Sequence, residues 1–207
     1  MMADHSLDGD GKGPGKLLIG GPGTSDVVPL QGLRLRSTNF DPENSQRVDI
    51  AVYRLASETV AAISAFQAIQ VDAIEEPLAY SRDRRFAVVG FPSSKTKTIP
   101  ISDPMRSALM LYVARERAPS APVERVPWLR PDIHLVLNFE TEGMAHSEGL
   151  TSAPSLLGVS GGAVFDLGPT LDPEVPPKLV GILTHHLKPQ KVLVATRLHP
   201  VVYGIMK

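Results

Sequence analysis

Along this chain the apolar residues gather in short runs of strand length, each closed off by glycine, proline or a polar cluster. The runs cover residues 16–19, 27–35, 48–55, 85–91, 108–115, 132–139, 178–184 and 192–198, and they are rich in Val, Ile and Leu. Branched side chains suit the pleated, half-buried surface of a strand, and closely spaced turn residues cut a chain into many short ones. The pattern predicts an all-β barrel or sandwich. Only two segments read as helices. One is 57–69, with Val60, Ile63, Phe66 and Ile69 along one side, and the other is a short terminal helix near 199–206.

The runs fall into two groups. The first ends near Leu55 and is followed by a polar, acidic and then basic stretch to about Arg84; the second opens at Phe86. The expected division is therefore 1–84, holding an N-terminal portion and a linker, and 85–207. Residues 119–131 and 169–177, bounded by prolines, read as surface loops of the second part. The glycine-rich stretch 9–23 reads as a flexible loop, because no helix follows it to present N–H groups to a phosphate. Arg82-Asp83-Arg84-Arg85 carries its own acid and reads as a solvated linker rather than a phosphate site.

Composition narrows the function classes. With 207 residues, 43% of them hydrophobic, the chain can bury a sizeable core, and a net charge of −1 gives no global pull toward nucleic acid or an anionic membrane. There is no cysteine, which removes thiol catalysis, disulfides and thiolate metal sites. No apolar run approaches the roughly 20 residues of a spanning helix, and the first residues show neither a basic nor an apolar signal region. The expectation is a protein without cofactor, metal, nucleic-acid or membrane partner, with a weak lean toward the cytoplasm.

The sharpest chemical signal is Gly158-Val159-Ser160-Gly161-Gly162. Acyl transfer needs an exposed hydroxyl beside backbone N–H groups aimed at the developing oxyanion, and glycines around a serine permit the turn that provides both. Asp49 is an acid among apolar strand residues, where a carboxylate calls for hydrogen-bond donors. His5 stands near the start. The order His5, Asp49, Ser160 along the chain is that of the triad in chymotrypsin-type barrels, and differs from the orders on other folds.

On these residues the chain resembles the trypsin-like (chymotrypsin-fold) serine peptidases, in particular their disulfide-free bacterial branch. Met2-Ala3-Asp4-His5 is similar to that family's histidine segment, and Asp49-Ile50-Ala51-Val52-Tyr53-Arg54-Leu55 to its aspartate strand. Residues 86–92 (FAVVGFP) resemble the opening of its second barrel, 158–164 its serine loop, 179–182 the following strand, and 192–205 its last strand and terminal helix. The resemblance implies two antiparallel six-stranded-type β-barrels, the first incomplete because only four residues precede His5, with a short C-terminal helix. The chain then either begins inside a longer protein or is a shortened variant.

Carried onto this sequence, the resemblance implies a serine endopeptidase acting on a peptide or protein substrate through an acyl-enzyme. Ser160 would be the nucleophile, His5 the base and Asp49 the acid that orients it. The N–H groups of Gly158 and Ser160 would form the oxyanion hole. Thr184, His185 and His186 would pair with substrate and wall the specificity pocket, and Pro154 would lie near its base. With no acid at Pro154, a preference for Lys or Arg is not expected. With Val159 in place of an acid before the serine, activation by a freed N-terminus is not expected either.

Three other readings compete with this one. The serine motif also fits an α/β-hydrolase elbow, but Pro169, Pro173, Pro176 and Pro177 forbid the long helix that fold needs after its serine. A metal site at His185, His186 and His199 is disfavoured, because adjacent strand residues point to opposite faces. The rival from another class is a catalytically weak or inactive, protease-like module that grips a peptide by strand addition.

Overall fold

The computed structural model describes residues 2–3, 18–20, 27–36, 48–64, 66–74, 80–92, 109–118, 126–140, 144–146, 149–151 and 156–206. They divide between two compact units, Met1–Val71 and Asp72–Lys207.

In the first unit, strands β1 (Met2–Ala3), β4 (Gly32–Arg36) and β5 (Ile50–Leu55) form an antiparallel sheet in the order β1-β5-β4, and β2 (Leu18–Gly20) pairs with β3 (Val27–Pro29). Leu18–Gly20 thus overlaps the strand-length run at 16–19 and lies within the stretch 9–23 that otherwise reads as a glycine-rich loop. The single strand expected over 27–35 is two, β3 and β4, parted at Leu30-Gln31. Gly32 has φ 147°, and a Cβ there would collide with the Arg54 carbonyl of the paired strand, so only glycine lets β4 approach β5 this closely.

Helix α1 (Ser57–Ala62) is shorter than its sequence pattern and uses another face. Val60, Phe66 and Ile69 are exposed, while Thr59 is buried. Thr59 Oγ1 accepts the Gln31 N–H at 3.1 Å, and the Gln31 carbonyl accepts the Ala56 N–H at 2.8 Å. A helix this short is held by tertiary contacts rather than by propensity. The contact offered is a polar hook onto the β3–β4 turn, and most of the apolar stripe stays exposed.

The second unit holds β6 (Arg85–Gly90), β7 (Met110–Arg115), β8 (His134–Asn138), β9 (Met144–His146), β10 (Gly149–Thr151), β11 (Ala163–Asp166), β12 (Lys178–Leu187), β13 (Val192–Arg197) and helix α2 (Leu198–Met206). β9 and β10 pair as a hairpin, and the other six strands make one antiparallel sheet in the order β7-β6-β11-β12-β13-β8. The sheet curls into a half-barrel until its edges touch at one end. There Glu116, just past β7, bridges Leu137 of β8, and the Arg117 N–H donates to the Val136 carbonyl at 2.8 Å. The described residues are therefore all-β, as expected, and form a curled six-stranded antiparallel half-barrel with a short terminal helix where the resemblance implied a pair of barrels.

Strict alternation decides what fills the half-barrel. On β7, Met110, Tyr112 and Ala114 are buried while Leu111, Val113 and Arg115 are exposed. Phe86 and Val88, Leu135 and Leu137, Leu193 and Ala195, and Val164 join the same core. Leu156 and Val159, from the turn before β11, complete it. Charge closes the end away from that turn: Arg84 pairs with the nearly buried Asp166, and Arg197 with Glu116 at 3.1 Å. The basic run before β6 is thus built into the fold, with Arg84 in an ion pair and Arg85 opening a strand.

Candidate functional site: a serine turn seated on strand β12

The turn carrying Ser160 is anchored from below. Val159 is 1% exposed, and its burial contributes on the order of 2 kcal/mol. The space it fills exists because Gly90 and Gly162 carry no side chains. A Cβ at Gly90 would stand 2.8 Å from Val159 Cγ1, and one at Gly162 would stand 2.6 Å from the Val89 carbonyl oxygen. Gly158 and Gly161 take φ values of 85° and 91°, conformations that other residues rarely adopt. Val159, in the position where the family that the sequence resembles has an acid before its serine, is an apolar plug.

From above, the turn is tied to β12. The Gly161 N–H donates to the Leu183 carbonyl and the Leu183 N–H to the Gly162 carbonyl, each at 2.8 Å. Ser160, half-buried, donates from Oγ to the Thr184 carbonyl at 3.2 Å. The register of β12 against β13 shifts between Leu183 and His185, which leaves Thr184 as the bulged residue. Its own hydroxyl donates to the Val194 carbonyl at 3.1 Å and holds the bulge in place. Such a bulge re-aims the backbone locally, and here it lies where the serine hydroxyl makes its bond.

Past the bulge the two histidines meet different neighbours. His185 lies 4.8 Å, centroid to centroid, from Trp128, which stands edge-on to the buried His134 at 5.5 Å. His134 Nδ1 accepts the Arg130 N–H at 3.0 Å. His186 meets Phe139 edge to face at 4.9 Å, and burial, then Lys188, hold its pKa below the ordinary 6.5. Trp128 went unnoticed because it sits in the proline-bounded stretch read as a surface loop. Its being the chain's one tryptophan was the available signal.

Of the residues assigned from the sequence, Ser160 and Thr184 are in hydrogen-bond contact, with Gly158 in the same turn and His185 and His186 next along β12. Asp49 belongs to the first unit. It is buried and stands just before β5 at φ 43°, in the left-handed region that aspartate tolerates better than most residues, so it precedes the strand instead of lying within it. His5 and Pro154 lie outside the described residues. Chemically, the described part offers a hydroxyl fixed on a rigid turn beside a strand rich in imidazole. Compared with known proteins, the chain matches no family model and no curated protein.

Proposed function

We propose that the protein is a serine endopeptidase, in which Ser160 attacks the scissile carbonyl and forms an acyl-enzyme. In this reading His5 takes the hydroxyl proton and returns it to the leaving amine, Asp49 orients His5, and the Gly158 and Ser160 N–H groups receive the oxyanion. The observation that carries the reading is the immobilisation of Ser160. Its turn is plugged into the core by Val159 and bonded to β12 through both the carbonyl and the N–H of Leu183, the pre-organisation a nucleophile requires. The six-stranded antiparallel sheet supports it as well, being the architecture the sequence resemblance implies for the nucleophile-bearing half.

Substrate would bind as an added strand. β11 pairs with β12 only as far as Ile182, so among the described residues the stretch Thr184–Leu187 has no strand partner on the β11 side. An extended peptide laid there would pass Ser160, with His185 and His186 beside it.

A fluorophosphonate probe tests the chemistry. Wild type should be labelled and Ser160→Ala spared, and His5→Ala should lose about as much activity as the serine variant because triad members act as a unit. A folded wild-type protein that takes no label sinks the enzymatic reading and leaves the peptide-gripping module.

A further inference from the structure

On the outer face of the half-barrel, where β7 and β8 part beyond their point of contact, cations outnumber acids among the described residues. Arg85 and Arg115 stand directly opposite each other on β6 and β7. Like charges in that position repel unless something lies between them. Both line a cavity of about 320 Å³ together with Asn138 and Glu140. Arg115 and Asn138 also line a second cavity of about 570 Å³, which adds Arg82 and Arg117. These volumes fall within the range of small-molecule sites.

Among the described residues that line the two cavities the acids are Glu116, engaged by Arg197 at 3.1 Å, and Glu140, set against the four guanidinium groups of Arg82, Arg85, Arg115 and Arg117. Among the described residues neither Arg85 nor Arg115 has a carboxylate partner, and Arg85 Nε is a buried donor without an acceptor. Buried donors are nearly always satisfied, so this one marks a place for an acceptor. Arg117 is steadied by donating from Nη1 to the Gln190 carbonyl at 2.8 Å. In sequence Arg82 and Arg85 stand beside Asp83, while Arg115 and Arg117 arrive from β7 and just beyond it, so the cluster is visible only in the fold.

We infer that this seam is a binding site for a small molecule bearing at least two oxyanion groups, phosphate or carboxylate. One group would lie between Arg85 and Arg115 with the Asn138 amide, and the other would lie toward Arg82 and Arg117. Planar guanidinium groups favour both kinds of oxyanion through paired N–H donors. The site stands apart from Ser160 and does not depend on the peptidase reading.

Isothermal titration calorimetry of the full chain with pyrophosphate and with citrate tests it. At least one should bind saturably at a single site, with affinity falling as salt rises. Arg115→Gln, on the exposed face, should weaken binding at least tenfold, and Arg85→Gln likewise. Arg130→Gln, whose guanidinium already faces Asp132, should leave binding unchanged. Binding of pyrophosphate alone assigns the site to phosphorylated ligands, and of citrate alone to polycarboxylates. Absence of saturable binding by either probe overturns the inference, as does an equal loss in Arg130→Gln.

Discussion

Replacing Gly162 with alanine is the most direct probe of the serine turn. The added methyl would lie 2.6 Å from the Val89 carbonyl oxygen and 2.9 Å from that of Val159. Both obstacles are backbone, one on β6 and the other in the turn, so neither can rotate away. Overpacking of this kind sits at the upper end of its usual range, about 3 kcal/mol. The lost freedom of the unfolded chain returns about 0.7 kcal/mol, leaving a net destabilisation of about 2 kcal/mol. At a urea dependence of about 2 kcal/mol/M, the unfolding midpoint should fall by about 1 M. In Gly90→Ala the one atom approached too closely is the side-chain Val159 Cγ1, at 2.8 Å, with the backbone no nearer than 3.5 Å, so it should cost less. The assay is urea unfolding followed by tryptophan fluorescence, because the chain's one tryptophan, Trp128, lies in the second unit and reports on it alone. A Gly162→Ala protein within about 0.5 kcal/mol of wild type, or more stable than Gly90→Ala, would refute the close approach on which the seating of Ser160 depends.

Two further predictions concern the half-barrel. Leu137 is fully buried in its core, and Leu137→Ala should destabilise the second unit by about 2–5 kcal/mol by leaving a cavity, measured in the same way. Glu116 and His186 should give stability opposite slopes with pH. Burial raises the Glu116 pKa above 4.5 despite Arg197, so the folded state holds its proton longer than the unfolded chain. The stability of wild type relative to Glu116→Gln should therefore decline as pH rises from 4.5, and a growing advantage would contradict the argument. The His186 pKa is depressed by burial, so the folded state resists protonation and wild type should lose stability relative to His186→Phe as pH falls below 6.5. Equal pH profiles for those two proteins would show that His186 is not desolvated.

Local pattern was enough to place most of the strands and the terminal helix of this protein. The apolar run of β7, the branched runs on β12 and β13, and the stop after Gly90 are properties of neighbouring residues, and neighbours in sequence remain neighbours in the fold. The serine turn was legible for the same reason, since its glycines, its hydroxyl and its apolar plug lie within five consecutive residues. Four-residue β11 escaped because so short a run carries no period. It is a strand because β6 and β12 flank it and supply its hydrogen bonds. The sequence pattern overextends helix α1 because Val60, Phe66 and Ile69 of its apolar stripe stay exposed, whereas Thr59 is bound by Gln31. Only tertiary structure brought Trp128 to His185, set Arg85 opposite Arg115, and put the Thr184 bulge under the serine hydroxyl. Each of these depends on strand register and on long loops closing, and those are decided by what the whole sheet buries, not by any single stretch of chain.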